Sequence, residues 1–454
     1  MEQKPNLRRA WYVVFVLMLA YISSFIDRQI LSLLVGPIKR DMKLSDTEVS
    51  LLMGFSFAIF YTLLGIPIGR LADSKSRKWI ITVGIAFWSL MTALCGGVKG
   101  YAQFFLARVG VGVGEATLSP AAYSMITDYF PKEKLATALS VYSMGVYLGS
   151  GFAVLIGAAL VGLTQEAHTV VLPFFGEIFA WQQIFIWIAA PGVLLVLLML
   201  TVKEPARKDR LQVRNIGGQL VDKQVSVGEV LGYIGNNWGG FLGVALGVTF
   251  VSTFAYASTY WIPTYFIRTF GWSAGKIGLI YGSIITVFST SGVVTGGFLA
   301  DYWTKKGVLA AKLRVGVWSA IGVIVGSLPF LLFDNPNLII GCFPVAAFAV
   351  AMPLGAGAAA VQEIMPNQMR ALASAIYFFI LNFIALGFGP TLVAVLTDYV
   401  FKDEKMVGSS LVVVGLLSGV LALLCFYFGR KPYARSLENL KRYMETETYF
   451  YPTT

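Results

Sequence analysis

LSDTEVSLLMGFSFAIFYTLLGIPIGRLADSKSRK, residues 44–78, has a second copy further along the chain. At a shift of 228 positions, WSAGKIGLIYGSIITVFSTSGVVTGGFLADYWTKK (272–306) aligns with it without a gap, and 10 of 35 positions are identical. The match is densest where an apolar run stops. G-x-L-A-D occupies 69–73 in one copy and 297–301 in the other, each followed by basic residues. The chain is therefore built twice over, and each copy is an apolar segment that ends in a charged turn.

Of the 454 residues, 57% are hydrophobic and 13% charged. A soluble domain carries about 25% charged residues, so this chain lacks the polar surface to cover a globule. It reads as an all-α polytopic membrane protein. A helix needs ~20 apolar residues to cross the hydrocarbon core. Twelve runs reach that length: 11–36, 48–72, 79–98, 101–128, 135–163, 178–202, 238–267, 274–302, 313–333, 338–362, 370–397 and 406–428. The first is too long for a signal-peptide core and no small-residue cleavage site follows it, so it is read as a retained span. The runs divide into an N-terminal six-helix bundle (1–202), a polar inter-bundle loop (203–237), a C-terminal six-helix bundle (238–430) and a tail (431–454). The loop is read as a flexible linker with a short amphipathic helix, and the tail carries no recognisable motif.

Basic residues orient the spans. With the N-terminus inside, 25 of the 35 Lys and Arg fall in inner segments and eight in outer ones, while Arg28 and Arg108 lie within the membrane. By the positive-inside rule both termini and the inter-bundle loop are expected in the cytoplasm. The formal charge of +11 is then topogenic, and no nucleic-acid role is expected. Cys95, Cys342 and Cys425 lie in apolar runs at unrelated spacing, and the lone His168 cannot make a metal cluster. GVGVGE (110–115) lies inside a span, whereas a dinucleotide loop needs a strand before it and a helix opening after it. Neither a metal nor a cofactor is expected.

Two parallel six-helix repeats are the architecture of a two-bundle transporter. GRLADSKSRK (69–78) resembles the loop signature between the second and third helices of the major facilitator superfamily. Gly69, Asp73, Arg77 and Lys78 match it, and Ser76 replaces the usual glycine. RVGVGVGE (108–115) resembles the fourth-helix signature, and VKEPAR (202–207) is similar to the segment after the sixth helix. The fifth-helix antiporter signature is half present: Gly145, Gly149 and Gly151 stand without its proline. The resemblance covers about residues 8–430. More narrowly, YISSFIDRQILS (21–32) and ARVGVGVGEATLSPAAYSMITDYFP (107–131) resemble the spinster family of lipid transporters. An Asp-Arg in the first helix and Arg-x-x-x-Gly-x-Gly-Glu-Ala in the fourth are characteristic of that family. Related sugar-phosphate and organic-anion transporters share parts of the pattern.

Asp27 and Arg28 stand side by side deep in the first span. An ionised group at bilayer depth costs at least ~2.5–3.5 kcal/mol, and such groups by default mark a pathway. At helical rise, Asp27 lies ~24 Å from Trp11, while Arg108, on an antiparallel span, lies ~10 Å from the outer face; the depths are comparable. Arg108, Gly112 and Glu115 fall at i, i+4 and i+7 on one helix face, with Glu115 ~21 Å in. Two acids and two bases thus converge in the first bundle. Asp27 and Glu115 are read as proton sites, Arg108 as their switching partner or a contact for an anionic headgroup, and Arg28 as a supporting charge. A nearby cation lowers a carboxylate pKa and dehydration raises it, so a conformational change that exchanges the two loads and releases a proton. The competing reading is a static ion pair that fixes helix packing. Neighbouring helical residues point ~100° apart, so Asp27 and Arg28 cannot both face one cavity. For Asp73, Arg77 and Asp128 the resemblance implies a gating network at the cytoplasmic edge.

The second bundle has no charge at membrane depth. It offers Tyr256, Tyr260, Tyr281, Tyr377 and Asn382 among apolar residues, a wall suited to a substrate with a polar head and an acyl tail. The expectation is a proton-coupled, alternating-access transporter of a lipid-like amphiphile, resembling the lysophospholipid or sphingolipid transport of spinsters. Its rival is a proton-coupled symporter of a small organic anion or sugar phosphate, with Arg28 and Arg108 as an anion clamp. No nucleophile–base pair supports an enzyme. The expected partners are the bilayer, the amphiphile and protons, and the protein is expected to act as a monomer in a bacterial inner membrane.

Overall fold

Apolar runs become helices here because a helix satisfies its backbone N–H and C=O groups within one segment, as hydrocarbon demands. The computed structural model describes residues 7–130, 132–164, 169–172, 176–206, 212–214, 220–222, 226–366 and 369–450. Among these, eleven helices are long and apolar enough to cross a bilayer. The twelfth crossing, 101–129, is interrupted: Tyr101–Glu115 and Leu118–Tyr129 are separated by a turn at Ala116 and Thr117. Pro120 accounts for the break, because it has no N–H for the carbonyl of residue 116 and its ring crowds that turn.

In chain order the crossings are α1 (Leu7–Met42), α2 (46–74), α3 (Arg77–Cys95), α4 (101–129), α5 (Lys132–Thr164), α6 (Ala180–Thr201), α7 (Trp238–Phe270), α8 (Ala274–Lys305), α9 (Ala311–Leu332), α10 (Pro336–Glu363), α11 (370–401) and α12 (Val407–Phe450). A small antiparallel hairpin, Thr169–Leu172 with Gly176–Phe179, joins α5 to α6. We call its side of the molecule the hairpin face. The opposite side, where α1 begins and α12 ends, is the terminal face.

Three elements differ from the sequence expectation. The first span continues to Met42 and carries a turn at Ile30, immediately after Asp27, Arg28 and Gln29. The last helix does not stop near 428 but runs on to Phe450. There it packs on the linker helix Val227–Asn236: Tyr443 lies edge-on to Tyr233 at 5.6 Å, and Asn439 donates to Asn237 at 3.0 Å. The linker also forms a short hairpin, Gln212–Arg214 with Leu220–Asp222. His168 lies outside the described residues.

The internal repeat has a direct spatial meaning. Gly54 and Gly282 are equivalent at the 228-residue shift, and each sits where one half meets the other. A Cβ on Gly54 of α2 would lie 2.3 Å from the Leu386 carbonyl oxygen of α11; one on Gly282 of α8 would lie 3.1 Å from that of Gly151 in α5. Only glycine lets the backbones approach so closely. Helix pairs α2/α11 and α5/α8 thus form the seam between the halves. Buried apolar side chains run without interruption from α1–α6 into the hairpin-side ends of α7 and α8, and a second cluster lies under the terminal face of the second half.

Gly54→Ala forces that backbone contact apart and is expected to lower stability by ~1–3 kcal/mol, the usual range for overpacking. Gly65→Ala, on the same helix with nothing within 4 Å of its Cβ, is the control. Thermal unfolding of the two purified variants, with a lowered Tm for the first alone, checks this.

Candidate transport site

The charges of α1 and α4 meet in the buried interior. Arg28, 4% exposed, is paired through Nε with Glu115 Oε2 at 2.6 Å, and its Nη2 donates to Ser24 at 3.2 Å. Ser24 donates its hydroxyl to the same Glu115 oxygen. The guanidinium also lies over the rings of Phe25, Phe57 and Tyr61, at 4.7, 4.5 and 4.7 Å. Three aromatic faces and one carboxylate replace the water that this cation gave up.

Asp27 points away from that pair, as the 100° step along a helix requires. Its Oδ2 accepts from the Thr92 hydroxyl at 3.3 Å, while Oδ1 is buried without a hydrogen-bond partner. Arg108 is fully buried and, among the described residues, makes no ion pair. It donates to two backbone carbonyls, Asp27 at 3.0 Å and Leu52 at 3.3 Å, and its Nη2 has no hydrogen-bond partner. The four sequence-predicted groups are therefore brought together, and the ion pair among them is Arg28 with Glu115, whereas the sequence reading gave Arg108 as the switching partner of the carboxylates and Arg28 as a supporting charge.

Next to this cluster, at the seam, lies a cavity of about 160 Å³ lined by α1, α5 and α7–α11. Its lining includes no charged side chain; Asp27, Arg28, Arg108 and Glu115 all stay behind it. Tyr256 and Tyr281 line it together with Phe254, Phe330 and Phe343. Tyr260, Tyr377 and Asn382 do not. The Tyr260 hydroxyl instead donates across the seam to the Arg28 carbonyl at 2.9 Å. Tyr377 is fully buried in the second half, and the Asn382 amide donates to Phe378 of its own helix at 3.0 Å.

Charges also organise both faces. On the hairpin face Asp46, fully buried at the start of α2, accepts from Arg268 of α7 at 2.6 and 2.7 Å and from Lys39 of α1 at 2.7 Å. Lys39 reaches Glu404 at 2.7 Å, and Thr47 donates twice to Asp398 of α11, each bond 2.7 Å. Among the described residues, ion pairs between the two halves occur only on this face. On the terminal face Arg77 is buried between Asp128 and Glu204, 2.9 Å from the latter, all within the first half. Partial burial disfavours the Glu204 charge, but the Lys78 amide, the Arg77 guanidinium and the Ser76 hydroxyl outweigh it and hold that carboxyl below the usual carboxylate range. The side chain of Asp73 lies outside the described residues.

The sequence pattern of the Major Facilitator Superfamily matches residues 17–390. The chain belongs to that superfamily. Its fold follows that of a solved bacterial homologue of the human lysosomal transporter Spinster in an inward-facing, unoccupied conformation. The TM-score is 0.74 at 26% identity, covering 96% of this chain and 98% of that one. An MFS-type efflux pump of Mycolicibacterium smegmatis is 28% identical over 95% of both chains. A probable galactarate/D-glucarate transporter of Bacillus subtilis is 26% identical over 67% of each. The protein is thus a multi-pass membrane protein of a superfamily of transporters.

Sequence reasoning passed over several residues of this facilitator fold. Lys39, Asp46, Arg268, Asp398 and Glu404 sit at or beyond helix ends, where they read as loop charges. Glu204 was visible in VKEPAR but was assigned no contact. Gln29 and Ser258, neutral residues that line the cavity, gave no signal.

Two outcomes follow from this geometry. Glu115→Ala leaves Arg28 buried and uncompensated and is expected to cost about 3–5 kcal/mol. Adding Arg28→Met should restore much of that loss; unfolding of the two single variants and the double variant measures the coupling. Asp46→Asn weakens the hairpin-face bridge. A cysteine placed at Ile285, in the cavity, should then react faster with an impermeant maleimide from that face, by about tenfold for each ~1.4 kcal/mol lost.

Proposed function

We propose that this facilitator is a proton-coupled transporter that carries a lipid-like amphiphile by alternating access. The cavity supports the reading: it is bordered by hydrogen-bonding groups from α1, α5, α7 and α8, is otherwise aromatic and aliphatic, and has no charged group in its lining. An acyl chain fits the Phe254, Phe330 and Phe343 wall, and a polar head fits the seam. The likeness to the Spinster homologue agrees with the resemblance to the spinster family of lipid transporters. In this reading Asp27 and Glu115 carry protons, while Arg28 and Arg108 act on those carboxyls from behind the cavity. Protonation of Glu115 releases Arg28, and the turn at Ile30 lets the rest of α1, with Lys39, respond. Asp73, Arg77 and Asp128 gate the terminal face, and Lys39, Asp46, Arg268 and Glu404 gate the other. Both ends of the chain lie in the bacterial cytoplasm, and the protein works as a monomer.

A second reading, a carrier of small organic anions, is supported by the likeness to the probable galactarate/D-glucarate transporter. A dianion calls for cations in its site, and the lining offers none.

Reconstitution in liposomes under an imposed pH gradient tests the proposal, with a lysophospholipid and galactarate as alternative cargoes. With one proton coupled per substrate, one pH unit is worth ~1.4 kcal/mol, so lysolipid accumulation should change about tenfold. Asp27→Asn should abolish that dependence on the gradient. Movement of galactarate without lysolipid overturns the substrate, and lysolipid movement indifferent to the gradient overturns the coupling.

A further inference from the structure

The first helix is held at its break from both sides of the seam. Ile30 is a turn residue, and Leu33 donates to the Ile30 carbonyl at 3.3 Å, three residues back instead of four. A helix bends where side chains enter its hydrogen-bond ladder, and two do so here at successive carbonyls. Arg108 of α4 donates to the Asp27 carbonyl at 3.0 Å, and Tyr260 of α7 donates to that of Arg28 at 2.9 Å.

The two donors come from different halves. Arg108 is a neighbour within the first half, whereas the Tyr260 phenol reaches across from the second at membrane depth. Tyr260 and Arg28 are both buried, so no water replaces their bond when it is lost, and an unsatisfied buried carbonyl is costly. The next residue on α7 turns elsewhere: the Trp261 indole donates to the Pro390 carbonyl of α11 at 2.8 Å, within the second half. At this level α7 is therefore fastened to its own half by one side chain and to α1 by the next.

Arg28 is gripped at two ends as a result. Its carbonyl takes the bond from Tyr260, while its guanidinium is held by Glu115, Ser24 and three aromatic rings. Phe25, Phe57 and Tyr61 all belong to the first half, as do Ser24 and Glu115. A long, flexible cation meets a fixed carboxylate at 2.6 Å only when the root of its side chain is fixed as well. The root of Arg28 lies beside the break in α1, where the helix ladder constrains it least, and the second half supplies the missing constraint.

We propose that Tyr260 is a positioning residue for the transport step: by holding the Arg28 carbonyl it fixes α1 where Arg28 pairs with Glu115, and so lets the second half sense whether that pair is made. The ion pair and the tyrosine bond share one residue and strengthen each other. Release of the guanidinium loosens the carbonyl, and α7 is freed from α1; loss of the phenol bond weakens the pair in return. Tyr260 needs no contact with the cargo for this. The inference deepens the proposed cycle and rests on its premise that loss of the Glu115 charge releases Arg28.

The test is a double-mutant cycle on the full-length protein in liposomes, with Cys95, Cys342 and Cys425 replaced by alanine and Ile285→Cys as the reporter. Its labelling rate with an impermeant maleimide from the hairpin face is compared for Tyr260→Phe, Glu115→Gln, the two together and neither. Tyr260→Phe should speed labelling about fivefold, the scale of one net hydrogen bond, because a tie between α1 and α7 is gone. In the Glu115→Gln background, where Arg28 is already released, it should change the rate by less than about twofold. Trp261→Phe removes a bond that stays within the second half, and its effect should be the same in both backgrounds. An equal effect of Tyr260→Phe in both backgrounds marks a bond that only adds stability; it overturns the inference and leaves the release of Arg28 intact. No effect in either background overturns it too. Non-additivity as large for Trp261→Phe also overturns it, since the cycle then reports a general loosening of α7. Labelling that Glu115→Gln leaves unchanged overturns the release of Arg28 and the inference together.

Discussion

A cation in hydrocarbon must find partners or leave, and Arg28 shows how this chain meets that demand. Its charge is shared with Glu115 and Ser24 and spread over three aromatic faces. Once α1 and α4 are locked to each other at that point, the neighbouring geometry follows. Asp27 is turned by its helix toward α3 and Thr92, and Arg108 has only backbone carbonyls to bond. Buried ion pairs are poor stabilisers compared with apolar packing but costly to break on one side. An arrangement with one carboxylate paired and the other left short of partners is therefore tense, and tension of that kind is what a proton can relieve.

The seam between the halves uses the opposite principle. It is held by close backbone approach at Gly54 and Gly282 and by apolar packing, neither of which responds to charge. Directionality is added at the hairpin face, where Asp46 gathers cations from both halves. The terminal face has charges as well, but Arg77, Asp128 and Glu204 all belong to one half and brace it internally. Among the described residues, the ion pairs that cross the seam lie on the hairpin side.

Much of this was legible in the sequence. The 228-residue shift predicted two equivalent halves, and the equivalence of Gly54 and Gly282 locates their seam. The spacing of Arg108 and Glu115 placed both on the side of α4 that meets α1. What spacing could not give was the partner, because whether Glu115 faces Arg28 or Asp27 depends on how α1 is rotated against α4, a property of packing. The interruption of α4 had a visible cause in Pro120. The extension of α12 also had a signal: Tyr433, Leu437, Leu440 and Tyr443 repeat at helical spacing beyond the last apolar run, and all pack against the second half. Hydropathy alone hides them, because Arg and Lys stand between.

The hairpin-face bridge and the cavity also constrain each other. Closing one side at Asp46 gains Coulomb energy only while Lys39 and Arg268 remain close, and both ride on helices, α1 and α7, that contribute Gln29 and Ser258 to the cavity wall. Tyr260 ties the same two helices between these levels. Any motion that separates α1 from α7 must therefore break the charged bridge and the tyrosine bond. In the proposed cycle the charges behind the cavity decide when these two ties give way.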